Sequence, residues 1–152
     1  MFRRRTAGVL AACAVAALVM TAGIAGGEER PLKQLMGDNF AGLQVILISL
    51  VNANYEAVPA QAEMIHSHAT ELTRNVPEIA QKDREQFLYY AYNLQSHAAD
   101  LKAISELLIE HDKGKSEELR EDHLREALAA HYGGVVEMCV SCHNRFRQRV
   151  IR

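Results

Sequence analysis

The residues with the most chemical content sit near the C-terminus: Cys139-Val140-Ser141-Cys142-His143. Two thiols three residues apart share one face of a helix, and an imidazole follows immediately. C-x-x-C-H is the attachment signature of a c-type haem. Both thiols can reach the two vinyl groups at one edge of a porphyrin, where each becomes a thioether. The next residue then offers a ring nitrogen to the iron. Cys139 and Cys142 are therefore the expected covalent anchors of a haem c, and His143 an expected axial ligand.

Three other readings of the pentapeptide are weaker. A zinc site needs four ligands; adjacent Cys142 and His143 do not easily face one metal, and there is no second cysteine pair. A thioredoxin-like redox pair needs a strand before it and a βαβ context, which the pattern does not show. A purely structural cysteine pair leaves His143 without a role.

The elements that must carry these residues are predicted to be helices. The chain has 152 residues, enough for one domain with a real core. Its only prolines are Pro31, Pro59 and Pro77, and the long apolar-periodic runs between and beyond them predict an all-helical fold. A first helix is expected over 31–52, with the core stripe Leu32, Met36, Asn39, Leu43, Ile46 and Leu50. Within it, Val45-Ile46-Leu47-Ile48 is apolar on more than one face. That implies either a deeply packed helix or a homodimer interface. A second helix is expected over 57–76, its stripe running from Val58 through Ala62, Ile65, Ala69 and Leu72 to Val76. His66 and His68 fall beside that stripe and are expected at the surface.

The third helix, over 83–112, places Phe87, Leu94, Leu101 and Leu108 seven residues apart, a bundle pattern. His97 lies on the same face, either as a core histidine bonded to a neighbour or as a haem-pocket residue and alternative iron ligand. Tyr89, Tyr90 and Tyr92 cluster nearby and are candidates to line a haem. The fourth helix starts near Ser116 and runs to the chain end, with Leu124, Leu128, His131, Val135, Met138, Cys142 and Phe146 on one stripe. Gly133-Gly134 inside it costs about 1 kcal/mol per glycine against alanine. Close approach of another helix or of a haem edge would explain that cost. Arg145, Arg147, Arg149 and Arg152 crowd the last turns, where cations suit the helix dipole.

Residues 1–27 read as a secretory signal peptide. Arg3-Arg4-Arg5 is a positive start, an uncharged apolar run follows, and small residues from Ala22 to Gly27 offer a cleavage site. The run is also long enough to remain as a membrane anchor if it is not cleaved. Cys13 does not close the apolar region as a lipobox cysteine would, and the arginines fit a twin-arginine signal poorly. The expected location is the periplasm. Without the leader, 14 basic residues face 19 acidic ones, a net charge of −5, which argues against a nucleic-acid partner.

Four amphipathic helices with C-x-x-C-H in the last one resemble the class II cytochromes c, the family of cytochrome c′ and its low-spin relatives. The likeness covers about 32–149, essentially the whole of the 28–152 domain. Cys142-His143-Asn144-Arg145-Phe146-Arg147 is similar to the family's Cys-His-x-x-Tyr/Phe-Arg ending. Leu35-Met36-Gly37-Asp38-Asn39 is similar, less specifically, to the first helix of the low-spin branch. The resemblance implies an all-α, antiparallel up-down-up-down four-helix bundle with covalent haem on the last helix. It implies a proximal His143, with Arg147 near it, and a distal position at Met36, or at Leu35 if the register slips by one. Leu35, Asn39, His97 and Arg147 are the further pocket candidates. A methionine there makes a one-electron carrier serving redox partner proteins; an apolar residue makes a five-coordinate protein that binds nitric oxide or carbon monoxide. No nucleophile or acid–base pair stands out, so the chain is not expected to be an enzyme.

Overall fold

A computed structural model describes residues 31–114 and 120–146. The leader, the helix start at Ser116, and Arg147, Arg149 and Arg152 lie outside the described residues. The described residues are helical, with no strand among them. The helices are α1 (Leu32–Val51), α2 (Val58–Arg74), α3 (Arg84–Asp112) and α4 (Glu121–Phe146). A 3-10 segment, Glu78–Asp83, leads into α3.

The prolines stand where a missing N–H costs nothing. Pro31 immediately precedes α1, Pro59 lies in the first turn of α2, and Pro77 precedes the 3-10 segment. Paired backbone bonds close α1: Asn54 N–H donates to the Ser49 carbonyl (3.0 Å) and Ala53 N–H to that of Leu50 (3.2 Å). This closure places its turning residue in the left-handed region, and Ala53 adopts it with φ 49°. At the end of α3 the same position is a glycine, Gly114, with φ 69°.

Helix α3 is the centre of the packing. It lies along both α2 and α4, while α1 packs on α2 and meets α4 only lightly. The heptad residues Phe87, Leu94, Leu101 and Leu108 are all buried, as their spacing predicts. One core cluster fills the middle of the domain around Ile46, Ile65, Leu101, Leu108, Leu128 and Val135. A second, around Leu35, Leu72, Phe87, Ala91 and Phe146, closes one end.

The inward face of α1 differs from the predicted stripe. Leu35 is buried at 3% exposure, whereas Leu32 is exposed and Met36 and Leu50 are only half-buried. The buried set is Leu35, Asn39, Gly42, Leu43, Ile46 and Ser49. Counting apolar residues alone could not find this face, because it includes Ser49, buried though polar, and Gly42, where α2 comes close. A Cβ on Gly42 would stand 2.7 Å from Met64 Cε of α2. The deep-packing explanation of Val45-Ile46-Leu47-Ile48 also fails. Only Ile46 of the four is buried; Val45, Leu47 and Ile48 are exposed, together with Phe40 and Val51. By length and hydropathy alone, α1 could cross a membrane.

Candidate cofactor site

The light contact between α1 and α4 leaves a space, and the chemistry-bearing residues border it. Two adjoining hollows share Met36 of α1 and Cys139 and His143 of α4. The inner one, about 40 Å³, is otherwise lined by Asn39, Leu72, Phe87, Tyr90, Ala91, Leu94, Met138 and Cys142. The outer one, about 500 Å³, adds Phe40, Leu43, Leu47, Tyr132 and Val136 among its walls. Helical spacing explains the grouping on α4. Residues 139, 142 and 143 are related by steps of three and four, so they share the face turned toward α1.

Cys139 and Cys142 are half-buried and are not joined in a disulfide. Burial raises the pKa of both thiols, and for Cys142 burial and then the neighbouring Cys139 push it up to about 11. A catalytic or redox cysteine needs a thiolate, normally obtained by a depressed pKa. At neutral pH these side chains are protonated thiols, which disfavours a nucleophilic or disulfide-exchange role. The thioredoxin reading further lacks its strand among the described residues. Nor do Cys139, Cys142 and His143 draw together as metal ligands. The described group of three or more potential ligand atoms within 4.8 Å of one another is His97, Asp100 and His131.

Asn39 is buried at 3% exposure, and its Nδ2 is the described buried side-chain polar atom with no hydrogen-bond partner. Its Oδ1 lies 2.6 Å from Nδ1 of His68. His68 itself is 1% exposed, so its expected surface position is wrong. The signal was present in the spacing. His68 stands three residues after Ile65 and four before Leu72, on the buried face of α2. Its partner Asn39 is likewise a polar residue on an apolar face, and a buried amide and imidazole are stable there only if they find each other.

Other candidates separate. Leu35 is in the end core and does not line either hollow. The expected core stripe takes in Met36 and not Leu35; the structure inverts this, with Leu35 in the end core and Met36 bordering the space between α1 and α4. Tyr90 lines the inner hollow, while Tyr89 and Tyr92 are exposed. His97 lines neither hollow. Its Nδ1 lies 3.2 Å from Nδ1 of His131, and its ring covers Gly134, where a Cβ would stand 2.7 Å from ring atoms. Another helix's side chain thus explains that glycine. Gly133 has nothing within 4 Å of a built Cβ, and no contact accounts for it. Arg145, in the last described turn, contacts Asp83 at 3.2 Å.

The outer hollow, about 500 Å³ with mostly apolar walls, has room for a small-molecule ligand, with the Cys139 thiol and the His143 imidazole at its border. Pockets of a few hundred Å³, apolar with few polar groups, are the usual form of a cofactor site. Comparison with protein-family models, with curated proteins and with solved structures finds no match.

Proposed function

We propose that this chain is an exported c-type cytochrome of the class II kind, carrying single electrons through a haem attached at Cys139 and Cys142. In this reading the helices form an antiparallel up-down-up-down bundle, and short links between consecutive elements support that. The single observation that carries the proposal is the sharing of one space by Met36 from α1 and by Cys139 and His143 from α4.

Each residue then has a task that its chemistry allows. Cys139 and Cys142 would hold the group by thioethers, a role that needs no activated thiolate. His143 and Met36 would offer its iron an imidazole nitrogen and a thioether sulfur. Haem, once bound, supplies a one-electron iron couple, and a methionine ligand and an apolar enclosure both raise its potential. Leu72, Phe87, Tyr90 and Leu94 exclude water from the inner side. Asn39 belongs to the same lining; its buried Nδ2 has no hydrogen-bond partner among the described residues, and its Oδ1 is held by His68.

The partners follow from the surface. A redox protein must meet the chain, and the exposed apolar residues Val45, Ile48 and Val51 of α1 support a second copy as a further partner. Sedimentation of a variant with Val45→Glu and Ile48→Glu is expected to give half the mass of the unaltered protein. An unchanged mass would refute the dimer.

The reading is tested on protein recovered from the periplasm of a host with haem-ligating machinery. It is expected to stay red after acid–acetone extraction and to be heavier by one haem. A colourless chain with two titratable thiols would overturn it.

A further inference from the structure

The best-formed polar cluster outside the cofactor space lies between α3 and α4. Nδ1 of His97 and Nδ1 of His131 are 3.2 Å apart, and Oδ2 of Asp100 lies 3.3 Å from the same His131 nitrogen. The three ligand atoms all fall within 4.8 Å of one another. Sequence spacing builds half of it, since His97 and Asp100 are one helical turn apart on α3. The other half comes from α4, whose Gly134 leaves room for the His97 ring.

We propose that His97, Asp100 and His131 form a binding site for one divalent late-transition ion of the zinc or copper class. Two nitrogens each 2.0–2.1 Å from one tetrahedral ion stand about 3.3–3.4 Å apart. The two short separations here are 3.2 and 3.3 Å. Hydrogen bonding alone serves the cluster less well. A single proton on Nδ1 of His131 can be directed at the His97 nitrogen or at the Asp100 carboxylate, not at both. A cation between the three takes a lone pair from each of the three ligand atoms at once. Two imidazoles with one carboxylate suit zinc and copper better than magnesium or calcium, which prefer all-oxygen shells. The side chains of His131 and Asp100 are 29% and 48% exposed, so an ion can enter without opening the bundle, and water can complete its shell. The site is separate from the cofactor space, and the proposal does not rest on the haem reading.

The test is calorimetric titration of the tag-free full chain with Zn²⁺ alone, after iodoacetamide blocking of any free thiol. Cu²⁺ loading and electron paramagnetic resonance report the ligand atoms. One equivalent is expected to bind, reversibly to chelator, with nitrogen hyperfine structure in the Cu²⁺ spectrum. Loss of an outer-shell partner already weakens metal sites about 10–100-fold. His131→Ala is therefore expected to weaken binding at least about 100-fold, and Asp100→Asn about tenfold. Circular dichroism checks that each variant is folded, and Asp100→Asn, at a half-exposed position, keeps the test alive if His131→Ala is not. No binding by the unaltered chain, or equal affinity in a folded variant, would overturn the site and leave the cluster a hydrogen-bonded relay.

Discussion

In the proposed haem protein, replacing Met36 by alanine is expected to convert the ferric form from low spin to high spin completely. The red charge-transfer band of an iron–sulfur bond would vanish, and the ferrous form would gain a site for carbon monoxide. Among the residues of α1 that line the space, Met36 alone has a sulfur donor, and it borders both hollows alongside Cys139 and His143. Its half-buried position makes the substitution mild for the fold. Full burial is what drives methionine-to-alanine losses to about 2–5 kcal/mol. Leu35→Ala is the matching control. That side chain is in the end core, so its loss should cost about 2–5 kcal/mol of stability and leave the spin state alone. Absorption and paramagnetic resonance spectra of both variants decide the register of the distal position. A high-spin unaltered protein whose spectrum is the same in Met36→Ala would instead support the gas-binding reading.

Much of the scaffold was legible because helices announce themselves by period. The heptads of α3, the stripe of α2 and the placement of all three prolines required no knowledge of tertiary contacts. The face of α1 was not legible to the same degree. Leu35 and Met36 are adjacent, and each can begin an apolar series at steps of three and four. What chooses between them is the approach of α2 at Gly42, a contact between segments that no local pattern encodes. The exposure of Leu47 and Ile48 follows from the same rotation.

The candidate site divides along a similar line. Cys139, Cys142 and His143 could be named from five consecutive residues because the proposed covalent attachment constrains spacing along the chain. Asn39 with His68, and His97 with His131, are pairs made across helices. Each looked like an isolated polar residue near an apolar stripe, and its partner lay 29 and 34 residues away. Polar residues that recur on a buried face are better read together, as possible partners, than one at a time. His68 shows the cost of reading one alone, since its spacing already placed it inside.

Phe146→Ala is expected to lower the unfolding free energy by about 3–5 kcal/mol, the usual range for a buried phenylalanine, and to disturb the cofactor as well. The side chain is 5% exposed. Its ring meets Phe87 edge-on at 5.6 Å and Tyr90 at 6.5 Å, pairs that each add about 0.5–1.5 kcal/mol beyond burial. Phe146 lies in the last described turn of α4, three after His143. Its ring ties down the turn that carries His143 and Cys142. Leu108→Ala provides the comparison. Leu108 is fully buried in the central cluster, and its loss should cost a similar amount, about 2–5 kcal/mol, without altering the turn that presents His143. Denaturant unfolding should therefore rank the two variants together. Their visible spectra should separate them, with broadened bands and slow ligand entry in Phe146→Ala only. Equal spectra at equal stability loss would mean that the thioethers alone hold His143 in place and that Phe146 serves the core and nothing else.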